Sequence, residues 1–197
     1  MRVAFGMKAH SGWAALVVLG KEAEDFVIVD RRRIELVEEQ WAKQPYHAAE
    51  NLRPPEARDV VKRGVASAHR IALSEMRAAV KRERERKNDV VACSVLVGEP
   101  MPGWSVDEIL AVHFRMHKAE GVLFRDVLIA AAQSCKLRSV AVHEKTIMAQ
   151  AEEALALPAT RLVKKIELLG RSVGPPWGKD QKDAALAAMI GLIDESE

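Results

Sequence analysis

From Val90 to Val97 the chain is apolar at every position except Ser94. So short a run, rich in β-branched residues and bounded by Asn88-Asp89 and Gly98-Glu99-Pro100, suits a central strand buried on both faces. The segments before it favour extended structure. Val3–Phe5 and Trp13–Leu19 are separated by the break His10-Ser11-Gly12, and a polar turn over Lys21–Asp25 leads to Phe26–Val29 and Ile34–Val37. Three strands joined by short polar turns make an antiparallel meander.

The period then changes. Past a polar loop carrying Pro45, Pro54 and Pro55, apolar residues recur at helical spacing (Val61, Val65, Ala68, Ala72, Met76, Ala79), predicting a long helix that ends near Lys87. Its basic end, Arg77–Lys87, reads as a solvated face with Glu83 and Lys87 paired at i,i+4. Beyond the central strand, Gly98–Trp104 is a loop, and Ser105 with Glu108 forms a capping-box pattern opening a second long helix toward Ser134. Ser139–Val142 is a further strand, so strand, helix and strand form a parallel crossover. Helices follow over about Lys145–Ala156 and Ala159–Leu169, then the rigid loop Gly174–Gly178, then a last helix over Asp180–Ile193. The expectation is an α/β domain spanning residues 1–197, its mixed five-stranded sheet flanked by helices. The 49% hydrophobic and 29% charged residues of this 197-residue chain are an ordinary globular mix that needs no staples.

Several function classes are excluded. A net charge of +2, from 30 Lys+Arg against 28 Asp+Glu, does not hold a protein to nucleic acid by bulk attraction. Cys93 and Cys135 lack Cys-x-x-Cys spacing and read as reduced thiols of a cytoplasmic protein. Trp13–Leu19 is too short for a membrane span, and no cleavage site follows it. No glycine-rich phosphate loop or nucleophile elbow is present, which removes nucleotide-dependent oxidoreductases and acyl hydrolases.

Three local patterns carry chemistry. His113, His117 and Glu120 fall at i, i+4 and i+7 on one helical face, a spacing that can offer two nitrogens to a transition metal. The plainer account makes them helical residues flanking the stripe Ile109, Met116, Leu123 and Val127. Trp104 and Trp177 each occupy a Pro/Gly-rich loop beside a candidate acid and read either as loop anchors or as base-stacking platforms. The stretch holding Arg161, Lys164, Lys165, Arg171, Lys179 and Lys182 is locally basic, suited to a solvated face or to phosphate contact without sequence readout.

The order of elements resembles the ribonuclease H-like fold and, within it, the RuvC-type Holliday-junction resolvases. Val3–Val18, with Gly12-Trp13-Ala14 opening its second half, is similar to their first hairpin. His117–Leu123, continuing to Ala132 and Val142, is similar to their helix and following strand. Asp180-Gln181-Lys182-Asp183-Ala184 resembles the aspartate pair that opens their final helix. The resemblance implies phosphodiester cleavage with two Mg²⁺ or Mn²⁺ ions shared by a carboxylate cluster. Asp180 and Asp183 match the final pair, and their i,i+3 spacing places both on one face at a helix N-terminus. Glu99 stands for the second acid as ligand or general base, with Glu120 and His117 as further candidate ligands. Lys8, Trp104, Trp177, Lys179 and Lys182 are the nucleic-acid contacts this reading implies.

One departure matters. The family's first acid is an aspartate on the first strand, whereas here no Asp or Glu precedes Glu22 and the counterparts are Gly6, Met7 and Lys8. An ammonium at Lys8 repels Mg²⁺. Two readings therefore stand. One is a nucleic-acid-binding protein with a divergent site, either a Mg²⁺- or Mn²⁺-dependent endonuclease or inactive and cofactor-free. The other is a non-enzymatic protein-interaction module on the same fold. DNA and RNA both stay open as partners, no membrane is involved, and a homodimer is compatible with either reading.

Overall fold

The computed structural model describes residues 1–23 and 25–193. Strands β1 (Arg2–His10), β2 (Trp13–Glu22) and β3 (Asp25–Glu35) form the antiparallel meander, and β4 (Asp89–Val97) and β5 (Arg138–His143) extend it in parallel. The sheet order is β3-β2-β1-β4-β5, so β1 is the middle strand and β4 is an interior one, flanked by β1 and β5 as its apolar run requires. The helices are α1 (Pro45–Ala49), α2 (Pro54–Glu85), α3 (Val106–Leu110), α4 (His113–Ser134), α5 (Ile147–Leu155), α6 (Ala159–Val173) and α7 (Lys179–Ile193).

Strand alternation divides the core in two. Val3, Phe5 and Met7 of β1 with Cys93 and Val95 of β4 face α2 and α4, burying Ala72, Met76, Phe124 and Leu128. The opposite face packs Val17, Leu19 and Leu96 against α5, α6 and α7. Helix α7 is buried almost all round from Ala184 to Gly191, and its run of alanines lets its backbone lie close to the sheet. Gly6 makes this approach possible: a Cβ built there would sit 1.8 Å from the Ala184 carbonyl oxygen. Since successive side chains alternate, the residues of β1 that share Gly6's face are Lys8 and His10, and they point at the N-terminal turn of α7.

Three expectations change. The helix opened by Ser105 is two helices. The capping box forms, with Glu108 Oε2 accepting from Ser105 N at 2.8 Å, but α3 stops at Leu110 and Val112 is extended before α4 begins. The Arg115 guanidinium donates to the Glu108 carbonyl at 2.9 Å and so satisfies an end carbonyl that a continuous helix would have used. Glu83 does not pair with Lys87 on a wet face. It is 1% exposed and accepts from Arg86 at 2.7 Å and Asn88 Nδ2 at 2.9 Å, while Lys87 turns the chain with φ 62°. Finally, β3 is one strand through Asp30-Arg31-Arg32-Arg33, because this edge pairs its own charges. Arg32 Nε donates to Asp30 at 3.0 Å, and Arg33 pairs with Glu35. Arg31 reaches across to the loop before α7. Its guanidinium donates to the carbonyls of Val173 (2.9 Å), Gly174 (2.8 Å), Pro175 (3.0 Å) and Pro176.

Candidate functional site

The C-terminal ends of β1, β4 and β5 and the first turn of α7 meet at one edge of the sheet, where open α/β sheets commonly place their sites. Lys8 is at its centre. Its Nζ lies 2.7 Å from Asp183 Oδ2, 2.9 Å from Glu144 Oε1 and 3.4 Å from Asp180 Oδ1, with the side chain 8% exposed. Three carboxylates thus match the three donor hydrogens of one ammonium. A second ammonium, the solvent-facing Lys179, caps the cluster from outside at 2.6 Å from Asp183 and 3.5 Å from Glu144. His10 Nε2 sits 3.1 Å from Asp180 Oδ2, its ring stacked on Trp13 at 4.3 Å, with the Arg33 guanidinium 4.0 Å from the centroid of that tryptophan's ring.

The electrostatics are mutual. Burial pulls the Lys8 ammonium toward deprotonation, but its hydrogen bonds to Asp183 and Glu144 outweigh that and hold it above the usual lysine value. Glu144 is held below the usual carboxylate range, first by the Lys8 hydrogen bond and then, against its own burial, by the charges of Lys8 and Lys179. Lys8 is therefore a cation across the neutral pH range.

The donor set does not fit a pair of divalent ions. Two Mg²⁺ need several shared carboxylate oxygens, and those of Glu144, Asp180 and Asp183 are already directed at Lys8. Two unit charges 4 Å apart interact by about 4 kcal/mol at an effective dielectric of 20, so a divalent ion beside this ammonium is opposed by about 8 kcal/mol. The end of β4 contributes no acid either. Gly98 stands there, and the Arg125 guanidinium fills the space beside it, 2.6 Å from where a Cβ would be.

Among the residues singled out from sequence, Lys8, Lys179, Asp180 and Asp183 converge. Glu99 does not join them: it is on the surface, 69% exposed, and pairs with Lys145 at 3.6 Å. The Lys8 ammonium is directed at the carboxylates of Glu144, Asp180 and Asp183. Lys182 is exposed and, with Arg171 and Trp177, borders a shallow cleft beside α6. The Trp177 indole packs on Gly170 and donates to the Ile166 carbonyl at 3.0 Å, while Trp104 lies under the Arg115 guanidinium at 4.7 Å; both are loop anchors. Glu120 and His117 belong to α4, on the other face of the sheet from α7. Glu120 is 4% exposed and serves α1: Oε1 accepts from Tyr46 N and His47 N at 3.2 and 3.1 Å, and Oε2 lies 2.7 Å from His47 Nδ1.

Sequence reasoning missed Glu144 and His10. Glu144 directly follows β5, the strand parallel to β4, and its place at a strand C-terminus was the available signal. His10 is two residues beyond Lys8 and shares its face by simple alternation.

No protein-family model matches the chain, and no curated protein matches it in sequence. Solved structures do. A structure of Thermus thermophilus RuvC aligns with 95% of this chain and 92% of its own at 16% identity, with a TM-score of 0.50. A structure of T. thermophilus RuvC in complex with a Holliday junction substrate aligns with 96% of this chain and 92% of its own at 12% identity, with a TM-score of 0.52. The mixed sheet, the close-packed final helix and the acids at its first turn are set in the RuvC-like form of the ribonuclease H-like fold.

Proposed function

We propose that this chain binds branched or duplex nucleic acid on a RuvC-like frame without hydrolysing it by a two-metal mechanism. The observation that carries the reading is the Lys8 ammonium, held 2.7–3.4 Å from Glu144, Asp183 and Asp180. It takes the coordination that catalytic cations require and converts a reactive centre into an internal ion network. The frame itself argues for the ligand class, because one similar structure holds a Holliday junction substrate. With the net charge near neutrality, contact falls to local cations, and Lys164, Arg171 and Lys182 along α6 and the start of α7 are the side chains we assign to phosphate.

The experiment is fluorescence anisotropy with a labelled four-way DNA junction at low salt, followed by incubation with Mg²⁺ or Mn²⁺ and product analysis. Binding without cleavage is expected. The logarithmic salt dependence should flatten by about one counterion for each of Arg171→Ala and Lys182→Ala. Divalent-dependent cleavage by the unmodified chain would overturn the inactive site. Absence of low-salt binding to the junction, to duplex DNA and to RNA would overturn the nucleic-acid reading and leave the protein-interaction module.

A further inference from the structure

We infer that His47, His113 and His117 form a binding site for a transition-metal dication of the Zn²⁺ class, separate from the lysine-centred cluster. Its ligands come from α1 and the first two turns of α4, on the α2–α4 side of the sheet. One candidate nitrogen from each ring lies within 4.8 Å of the other two. The Nε2 atoms of His113 and His117, one helical turn apart, are 3.1 Å from each other. Zinc–nitrogen bonds of about 2.0–2.1 Å in tetrahedral array set ligand nitrogens roughly 3.3 Å apart, so this pair already has the separation of two ligands. His47 needs only a small ring movement to complete the triangle.

Two further observations point to a ligand. The Nε2 atom of His47 is buried and has no hydrogen-bond partner among the described residues. Buried polar atoms are otherwise nearly always partnered, and the centroid of the His47 ring lies 5.0 and 4.5 Å from those of the His113 and His117 rings. The opposite nitrogens are held by carboxylates: Glu120 Oε2 lies 2.7 Å from His47 Nδ1, and Glu50 Oε1 lies 3.3 Å from His113 Nδ1. A carboxylate on Nδ1–H fixes the tautomer and turns the Nε2 lone pair outward, as outer-shell partners of metal-bound histidines do. Glu120 is well placed for this because the same side chain also accepts from the His47 backbone N–H, fixing ring and backbone together.

Three neutral imidazoles favour Zn²⁺, Cu²⁺ or Ni²⁺ over Mg²⁺ or Ca²⁺, which take oxygen. His113 and His117 are solvent-exposed, so a fourth position would open to water. The alternative is a bare His113–His117 hydrogen bond with no ion.

The test uses the full chain stripped with chelator, titrated with Zn²⁺ by calorimetry and with Co²⁺ by visible absorption. One saturable equivalent is expected, with the Co²⁺ bands of a low-coordinate nitrogen site. His117→Ala should weaken affinity by at least tenfold, and His113→Ala with His117→Ala should abolish it. Because both rings are on the surface, far-UV circular dichroism and the metal-free melting point should stay unchanged. No saturable equivalent in the unmodified chain, or equal affinity in the double variant, overturns the site.

Discussion

Lys8→Met keeps the aliphatic stem of Lys8 and removes its charge, leaving Glu144, Asp180 and Asp183 to repel one another. Breaking a buried ion pair by deleting one partner costs about 3–5 kcal/mol. Two features lower that here. Glu144 and Asp180 keep 34% and 28% of their side chains exposed, and Lys179 still neutralises Asp183 at 2.6 Å. A loss of about 2–3 kcal/mol at neutral pH is therefore expected, lowering the melting temperature by about 5–10 °C in a chain of this size. The pH dependence identifies the cause. Glu144 is depressed in the folded state, so its contribution is present above its unfolded value and is lost as pH falls through the folded one. Lys8 is raised, so its contribution is complete below 10.5 and is lost as pH climbs through the folded value. The deficit of Lys8→Met should be full between about pH 5 and 10 and should narrow at both ends. Urea denaturation of both proteins below, within and above that range measures it. A deficit that does not change with pH, or a variant as stable as the parent at neutrality, would refute the ion-network account.

Other perturbations separate geometry from charge. Lys8→Asp replaces the cation with a fourth carboxylate and should let Mg²⁺ or Mn²⁺ stabilise the fold by about 2.7 kcal/mol at one hundred times the dissociation constant. The unmodified protein should show no such shift, and a variant equally unresponsive would count against the cluster as a cation-binding geometry. Gly6→Ala drives a methyl into the Ala184 carbonyl and should cost about 3 kcal/mol or more, read from the urea midpoint. Glu83→Gln weakens the buried contacts to Arg86 and Asn88 and should cost about 2 kcal/mol by the same measurement.

How far the sequence reaches depends on the range of the interaction. Strand β4, the meander and the parallel crossover follow from residue periodicity, a local property, and the structure has all three. The aspartates at the start of α7 were legible through the resemblance to the RuvC-type pattern, and their i,i+3 spacing fixes a shared face. Glu144 was not, because its relevance arises only when β5 is laid beside β4 and its end is brought to Lys8. The charged neighbours of Glu83 point to a solvated side chain, but its burial depends on how the end of α2 meets β4 and the chain's first residues. The break between α3 and α4 was hidden behind a valid capping box, because capping marks where a helix starts and says nothing of how long it runs. The His47 contribution was invisible for a simpler reason: it comes from a five-residue helix that only tertiary packing places near α4.

The Arg31 guanidinium, ringed by the carbonyls of residues Val173 to Pro176, has a consequence for the whole α7 side of the molecule. A cluster of inward carbonyls is how proteins cage a hard ion, and here the caged charge is covalently attached to a neighbouring strand. Lys8 repeats the arrangement with carboxylates. Both charges travel with the polypeptide from the ribosome onward, so this half of the fold is expected to mature without a supply of dissolved ions. Chelators, or swings in free magnesium, should leave its assembly untouched.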